Sequence, residues 1–156
     1  MNVEIKKLSS GDIDKFKELI RLFEDVFNMK NFQMPGQIHL RELLGKESFF
    51  VFIALANNQV VGGLTSYLLQ QYYSESRSAY IYDLAVKTEF QRQGIGKMLI
   101  SEIISHCNKI GIKEVFVQAD EEDVHAIEFY QSTGAIGQKV VHFNYPLDNQ
   151  GNDKNL

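Results

Sequence analysis

The strongest constraint on the fold is a change in the spacing of apolar residues at Val86. Before this point, residues 49–55 and 79–86 are runs rich in β-branched and aromatic residues, which predict strands. After it, apolar residues recur every three or four positions over 95–110, which predicts a helix that Gly111 ends. A polar segment with two glycines joins the two patterns. The chain therefore changes from sheet to helix at one short turn.

The other segments extend this succession of strands and helices. Asn57 and Asn58 predict a tight hairpin turn after the strand over 49–55. The remaining predicted elements are strands over 3–8, 60–68, 115–117 and 139–145 and helices over 13–27, 37–44 and 123–132. This order predicts an α/β architecture in which helices cover a mixed sheet. We predict one domain over residues 1–147, followed by a frayed polar tail over 148–156.

Composition narrows the classes of function. The formal net charge of -4 argues against a nucleic-acid-binding protein, which usually carries an excess of Lys and Arg, and it suits a cationic substrate. No window approaches the ~20 apolar residues of a membrane span, and the first residues show no export signal. The single cysteine, Cys107, fits a reducing cytosol. We therefore expect a cytoplasmic protein that binds neither nucleic acid nor membrane.

The turn before the helix over 95–110 has the composition of an anion site. It reads Gln91, Arg92, Gln93, Gly94, Ile95 and Gly96, followed by Lys97. Two glycines let backbone N–H groups converge at a helix start, where the helix dipole and nearby basic side chains favour a pyrophosphate. On spacing alone, a turn that only shapes the chain explains the glycines equally well. The Gly-Lys-Ser/Thr ending of a P-loop and the three glycines of a Rossmann turn are both absent.

Two motifs together resemble one family. The pattern Gln/Arg-x-x-Gly-x-Gly/Ala, after a strand that ends Leu84-Ala85-Val86, resembles the pyrophosphate loop of the GNAT superfamily of acyl-CoA N-acyltransferases. The run from Asp123 to Gly134, with Ala126, Phe129 and Tyr130 at the motif positions, resembles that superfamily's last helix. The resemblance implies a mostly antiparallel sheet, splayed at the cofactor site, with helices on both faces. It also implies acetyl-CoA as the cofactor. The cofactor-binding residues that it implies are Leu84, Ala85, Val86, Gln91, Arg92, Gln93, Gly94, Ile95, Gly96, Lys97, Asp123 and Ala126.

A closer resemblance concerns the acceptor. Residues 80–86, 117–120 and 141–143 resemble the aminoglycoside 3-N-acetyltransferases of the GNAT type, over roughly residues 48 to 145. This implies acetylation of an aminoglycoside, at the 3-amino group, and with the apolar last strand it implies a homodimer. Two features depart from the group. His125 stands where that group is expected to have a proline, and the first forty residues carry no signature of the acceptor pocket.

Asp83 is the candidate general base. An amine is largely protonated at neutral pH, so acetyl transfer needs a carboxylate near the acceptor to take a proton, directly or through water. Strand alternation predicts that Asp83 shares a face with Ile81 and Ala85, where partial burial would raise its pKa. The opposite face is predicted to carry Tyr80, Tyr82 and Leu84. The alternative is a structural carboxylate that accepts backbone hydrogen bonds at a strand bulge.

Tyr130 is the candidate partner of the leaving thiolate. In the GNAT resemblance it occupies the position of a tyrosine near the sulfur of coenzyme A, where its hydroxyl would protonate or stabilise the thiolate. The alternative is a core tyrosine that packs beside Phe129. The developing oxyanion would be held mainly by backbone N–H groups near Leu84.

Acidic and aromatic residues form the candidate acceptor site. The substrate-binding residues predicted here are Tyr82, Asp83, Asp120, Glu121 and Glu122. The acidic run would attract a polycation, although acids at a helix start, with Asp123 as the cap, explain it as well.

Other reactive residues receive structural roles. Cys107 lies on the apolar helix face and is expected to pack in the core, not to act as a nucleophile. The four histidines, His39, His106, His125 and His142, lack ligand spacing, so no metal site is expected. Two other functions stay open: a GNAT enzyme acting on a polyamine, amino acid or protein lysine, and a non-catalytic acyl-CoA-binding domain.

Overall fold

The computed structural model describes residues 1–147 and contains a five-stranded sheet with helices on both faces. The strands are β1 (Val3–Lys7), β2 (Phe49–Ala56), β3 (Gln59–Gln70), β4 (Arg77–Val86) and β5 (Glu114–Val117). The helices are α1 (Ile13–Val26), α2 (Gln37–Leu44), α3 (Ile95–Lys109) and α4 (Val124–Ser132), and a 3-10 turn spans Thr88–Phe90. The predicted tail over 148–156 lies outside the described residues, and the single domain over 1–147 stays a prediction.

The sheet follows the chain order from β1 to β5. β1 to β4 pair antiparallel, and β5 pairs parallel to β4. Asn57 and Asn58 join β2 to β3 with φ values of 49° and 60°, and both are therefore in the left-handed conformation that a tight hairpin turn requires. The predicted hairpin and the predicted mixed, mostly antiparallel sheet are confirmed.

Both faces of the sheet are buried, which explains why the run over 49–55 is apolar throughout. Phe50, Phe52 and Ala54 belong to a core cluster with α3, whereas Phe49 and Val51 belong to a second cluster with α1 and α2. We call these the α3-side and α1-side clusters. The second is packed closely: a Cβ at Gly63, built on the backbone, would approach Leu19 of α1 at 2.5 Å.

A β-bulge interrupts the pairing of β3 with β4. Thr65 is opposite Asp83, but the next residue, Ser66, is opposite Ile81, so Tyr82 is an extra residue in β4. Because one extra residue shifts the alternation of faces, Ile81 lies in the α3-side cluster while Ala85 lies in the α1-side cluster. The prediction that Ile81 and Ala85 share a face with Asp83 is therefore wrong for Ile81.

The predicted grouping of Tyr80 and Tyr82 with Leu84 is wrong for the same reason. Tyr80 is opposite Tyr67 in β3 and therefore lies on the same face as Tyr67. Leu84 packs against the α3-side cluster, whereas the Tyr82 ring contacts Tyr67, which packs against the α1-side cluster. Asp83 lies two positions from Ala85 in the regular part of β4, so its side chain is directed to the α1 side.

The predicted strand over 139–145 is also wrong. Residues 135–147 form neither helix nor strand, and all of them are exposed. An alternating pattern becomes a strand only where another strand accepts its backbone hydrogen bonds, and among residues 1–147 nothing pairs with this segment. Each of the other predicted elements is present, with ends that differ by a few residues.

Candidate active site

β4 and β5 separate at the point where the site begins. Their pairing ends at Ile81 and Val117, although β4 continues to Val86. On this side of β4, residues 82–86 have no strand partner within the described part of the chain. The predicted splay is therefore confirmed. It leaves backbone N–H and C=O groups of the Leu84 to Val86 segment available to an extended ligand.

The turn after β4 is shaped as an anion site would require. Arg92 and Gly94 have positive φ values of 59° and 83°, and α3 begins immediately after them. The Gln91 side-chain amide donates to the Val86 carbonyl oxygen at 2.9 Å, which ties the turn to the end of β4. Residues 91–94 are exposed. The first N–H groups of α3 have no partner within the helix, so they can bind a pyrophosphate.

Several predicted cofactor-binding residues can contribute only through the backbone. The side chains of Ala85, Val86 and Ile95 are buried in the core. Lys97, by contrast, is exposed in the first turn of α3, where its ammonium group can add positive charge. The sequence motif therefore combines residues that hold the turn in place with residues that can face a ligand.

Gly96 has a packing role that the motif alone does not reveal. A Cβ at this position would lie 2.8 Å from the Phe129 ring, so only glycine allows α4 to approach the first turn of α3. The next residue of α4 is Tyr130. The position of Tyr130 thus depends on the same turn that can bind the cofactor.

Asp83 and Tyr130 lie within electrostatic reach of each other. Partial burial raises the pKa of Asp83 above the ordinary value of 3.8. Hydrogen bonds to the carboxylate do not offset this desolvation. Burial, followed by the charges of Asp123 and Asp83, raises the pKa of Tyr130 to about 12. Tyr130 packs on the α3-side cluster and Asp83 faces the α1 side. Their interaction therefore crosses the sheet at the splay.

Aromatic rings line the acceptor side of Asp83. Tyr67 and Tyr80 each contact Tyr82, with ring centroids 5.7 and 5.9 Å apart, and Tyr80 stacks on Phe116 at 4.8 Å. We call these four residues the tyrosine wall. Burial is the largest cause that raises the pKa of Tyr67 and of Tyr80, and the charge of Asp83 contributes to both shifts. Tyr82, a predicted substrate-binding residue, remains 60% exposed.

The wall was only partly visible in the sequence. Tyr67 and Phe116 were not predicted site residues. Both join the wall through strand pairing, because Tyr67 of β3 and Phe116 of β5 are each opposite Tyr80 of β4. Tyr80 also donates a hydrogen bond from its hydroxyl to Gln118 Oε1 at 3.1 Å. Register, and not local pattern, brings these rings together.

The acidic run divides into two roles. Asp123 caps α4, because its Oδ1 accepts a hydrogen bond from the Ala126 N–H at 3.0 Å. This bond occupies the Ala126 N–H, so a cofactor contact at Ala126 would use its side chain. Asp120, Glu121 and Glu122 are exposed, so a cation can reach them. Glu121 already forms a long, exposed ion pair with Lys139, at 3.9 Å from Oε1 to Nζ.

The rest of the described chain contains features that do not add to the candidate active site. One surface cavity of about 690 Å³ is lined by residues of α1 and by Lys87. A second, of about 680 Å³, is lined by the β3–β4 loop. Neither cavity is lined by Asp83 or Tyr130. Among residues 1–147, no group of three or more His, Cys, Asp and Glu side chains is placed to hold a metal ion. None of the helices described is long and apolar enough to cross a bilayer. Cys107 is buried in the α3-side cluster.

Comparison with known proteins agrees with this geometry. The profile of the Acetyltransferase (GNAT) family matches residues 16–135. The chain belongs to this family. An aminoglycoside acetyltransferase from an uncultured soil metagenomic sample, solved with sisomicin, is 53% identical, with a TM-score of 0.92 over 94% of this chain and 97% of that one. A second soil metagenomic aminoglycoside acetyltransferase is 33% identical, with a TM-score of 0.90 over 95% of this chain and 100% of that one.

Two curated relatives are more distant. The N-alpha-acetyltransferase 60 of Xenopus tropicalis is 26% identical over 145 residues, which cover 82% of this chain and 57% of that protein. The ribosomal protein bS18-alanine N-acetyltransferase of Salmonella typhimurium is 28% identical over 75 residues, which cover 48% of this chain and 50% of that protein. The chain thus spans little more than half the length of these relatives. The predicted resemblance and the predicted cofactor, which for this family is acetyl-CoA, are confirmed.

Substitutions at the two ends of α3 test the pyrophosphate site. Gly94 and Gly111 both have positive φ, 83° and 79°, with open space around the position of a Cβ, so an Asp variant at either site has similar backbone strain. Gly94→Asp should weaken coenzyme A binding about tenfold or more, because it places a carboxylate where the pyrophosphate would bind. Gly111→Asp should leave the affinity near the wild-type value. Isothermal titration calorimetry with coenzyme A measures both, and equal affinities for the two variants would contradict the assignment.

Asp83 should cost stability at neutral pH. A carboxyl group whose pKa is raised by folding stabilises the folded state below its unfolded pKa, and this contribution is lost as the pH rises through the folded pKa. Asp83→Asn should therefore unfold at a higher denaturant concentration than the wild type at pH 7. The difference should shrink as the pH falls towards 3.8, the ordinary value. Urea titrations at several pH values measure it, and a difference that grows on acidification would be the opposite result.

Proposed function

We propose that the protein transfers the acetyl group of acetyl-CoA to an amine of an aminoglycoside, at the 3-amino group of the deoxystreptamine ring. The observation that carries this proposal is the position of Asp83, a partly buried carboxylate with a raised pKa between the tyrosine wall and the splay. The structural neighbour solved with sisomicin supports the acceptor class, because its chain and this one are similar over nearly their whole length.

Residues at the splay and at the start of α3 would hold the cofactor. The unpaired side of β4 over 82–86 offers backbone groups to the pantetheine arm, and the Arg92–Gly94 turn offers N–H groups to the pyrophosphate. These features fit the group, because the strand edge is extended and the turn is exposed at a helix start. Acetyl-CoA supplies the reactive thioester when it is bound.

Asp83 would prepare the acceptor amine. Its charge attracts an ammonium group, and its raised pKa makes it a better proton acceptor than an ordinary aspartate. The carboxylate takes the proton from the ammonium group, directly or through a water molecule, and leaves the free amine as the nucleophile. Asp83 faces the α1 side, which places the acceptor on that face of the sheet.

Tyr130 would act as a hydrogen-bond donor to the leaving sulfur. A pKa of about 12 keeps its hydroxyl protonated at neutral pH. Full proton transfer to a thiolate is unfavourable for such a group, because an ordinary thiol has a pKa of only about 8.5. Stabilisation by a hydrogen bond has no such cost. The sequence predicted that Tyr130 would either protonate or stabilise the thiolate, and its raised pKa favours stabilisation. Backbone N–H groups near Leu84 would stabilise the oxyanion.

Charge and aromatic surface would select a polycationic acceptor. Three exposed acidic residues follow the carboxyl end of β5: Asp120, Glu121 and Glu122. β5 is the strand next to β4, which carries Asp83. The exposed Tyr82 ring offers a face to an ammonium group or an amino sugar. Several carboxylates can match several ammonium groups, which favours an aminoglycoside over a ligand with one amine.

One observation favours a different acceptor. One curated relative is named as an N-alpha-acetyltransferase and another as an N-acetyltransferase of an alanine in ribosomal protein bS18, so a protein amine is the second candidate. A non-catalytic acyl-CoA-binding role is disfavoured because two groups suited to the chemistry, Asp83 and Tyr130, lie close enough for the charge of Asp83 to affect the pKa of Tyr130. We further propose that the protein is cytoplasmic and acts as a homodimer, as the resemblance in the sequence implies.

A panel of acceptors tests the proposed function. With acetyl-CoA present, thiol release should be fast with sisomicin and slow with spermidine or with a peptide that begins with alanine. NMR of the product should place the acetyl group on the 3-amino nitrogen. Turnover of the peptide or the polyamine without any turnover of an aminoglycoside would refute the acceptor, and acetylation at another nitrogen would refute the position.

Two substitutions test the assigned roles. Asp83→Asn and Tyr130→Phe should each lower kcat about tenfold or more, because each removes a group that handles charge in the transition state. Coenzyme A affinity should stay within about twofold, which separates chemistry from binding. Tyr72→Phe is the control, since Tyr72 is 99% exposed on the β3–β4 loop. A near-normal kcat for either variant would remove that residue from the mechanism.

A further inference from the structure

A buried threonine lies directly opposite the candidate base. Thr65 of β3 pairs with Asp83 of β4 in the antiparallel register, and it is the last pair before the bulge. The side chains of directly opposite residues share one face of a sheet, with Cβ atoms roughly 4.5–5.5 Å apart. The Thr65 hydroxyl is therefore a neighbour of the Asp83 carboxylate.

Thr65 faces the α1 side, as Asp83 does. It lies two positions from Gly63, which Leu19 of α1 approaches closely, and two positions from Tyr67, which packs against the α1-side cluster. The pairing of β3 with β2 is regular over this stretch, and the extra residue of the bulge belongs to β4. Alternation therefore directs positions 63, 65 and 67 to one face. The proposed acceptor approaches Asp83 on this same face.

The environment of Thr65 is unfavourable for an unused hydroxyl. Only 8% of Thr65 is exposed. Hydrogen bonds do not offset the desolvation of the Asp83 carboxylate, so Thr65 does not donate a stabilising bond to it. A buried strand position without such a bond favours valine, which has the same branched shape and no polar group. The Thr65 hydroxyl can instead bond to a third group that lies beside the carboxylate.

We propose that the Thr65 hydroxyl accepts a hydrogen bond from the acceptor amine and thereby orients the nitrogen for attack. An ammonium group has three N–H bonds, and Asp83 takes one of these protons in the proposed mechanism. One of the two remaining N–H bonds donates to Thr65 Oγ1. Two contacts from neighbouring strands fix the direction of the lone pair that the proton leaves behind. This inference rests on the proposed function and holds for any primary amine.

The two contacts direct the nitrogen towards the splay. β3, which carries Thr65, lies on one side of β4, and the splay between β4 and β5 lies on the other. An amine held by Thr65 and Asp83 is therefore covered from the β3 side. Its remaining side is turned to the strand edge that is proposed to hold the pantetheine arm and its thioester.

The next residue, Ser66, provides a matched control. It is fully buried, and its Oγ has no hydrogen-bond partner among the described residues. Ser66 is opposite Ile81 and lies between Leu64 and Leu68 in the alternation of β3, and these three residues belong to the α3-side cluster. Ser66 thus matches Thr65 in burial and in its hydroxyl, but it faces the other side of the sheet.

Removal of each hydroxyl tests the proposal. For whichever amine of the acceptor panel is acetylated fastest, Thr65→Val should lower kcat about tenfold, because one of the two contacts to the nitrogen is lost. Thr65→Ser, which keeps the hydroxyl but removes a methyl group, should retain most of the activity. Ser66→Ala should keep kcat within about twofold of the wild type. A normal kcat for Thr65→Val, or an equal loss in Ser66→Ala, would refute the proposal.

Stability separates orientation of the amine from a structural role. Thr65→Val should unfold at the same or a higher urea concentration than the wild type, because a methyl group replaces a buried hydroxyl. Thr65→Ser should unfold at a lower concentration, since it loses buried apolar volume. A structural role predicts that activity follows stability, with Thr65→Ser the less active variant. That order of activities would overturn the inference.

A double variant separates this inference from the proposed function. If Thr65 and Asp83 hold the same nitrogen, the loss of kcat in Asp83→Asn with Thr65→Val should be smaller than the product of the two single losses. Independent losses would contradict a shared nitrogen. A near-normal kcat for Asp83→Asn alone would overturn the proposed base. A normal kcat for Thr65→Val beside an impaired Asp83→Asn would overturn only the orientation by Thr65.

Discussion

The geometry of the site depends on one extra residue in β4. Because Tyr82 has no counterpart in β3, the strand changes which residues face α1 and which face α3 just before Asp83. The pairing of β4 with β5 ends at the same place. A regular strand here would continue both the alternation and the pairing, and it would leave neither an open backbone edge nor a carboxylate at that edge. The opening also allows groups on the two faces of the sheet to act on one another.

The second constraint is the close approach of α4 to the start of α3. Gly96 accepts the Phe129 ring where any side chain would collide with it, and Tyr130 follows directly in α4. The turn that fits a pyrophosphate and the tyrosine assigned to the sulfur are therefore parts of one packed unit. Movement of the turn would displace Tyr130. Of the two glycines in the motif, Gly94 serves the conformation of the turn and Gly96 serves packing.

The sequence predicted what is encoded locally and missed what depends on pairing. The hairpin at Asn57 and Asn58, the glycine turn and the cap at Asp123 follow from residue types at fixed spacing, and they were predicted correctly. The bulge at Tyr82 was not predicted, because no local pattern marks an extra residue in a pair of strands. A strand bulge entered only in the alternative, structural role of Asp83. The place of Tyr67 in the wall follows from register alone. The predicted strand over 139–145 is wrong because alternation specifies a face to be buried and does not supply the neighbouring strand that would pair with it.

The link between Asp83 and Tyr130 suggests an order for the proposed chemistry. Burial and the charge of Asp123 are the larger causes of the raised pKa of Tyr130, and the ionised Asp83 adds to them. Asp83 thus helps to keep that hydroxyl protonated while the amine is being prepared. In the proposed mechanism Asp83 accepts the proton from the acceptor, which would neutralise its charge and remove this contribution. The pKa of Tyr130 would then fall, and a group with a lower pKa donates a stronger hydrogen bond. Removal of the amine proton would thus strengthen the donor at the moment when negative charge develops on the sulfur, and the splay is what allows this coupling to cross the sheet.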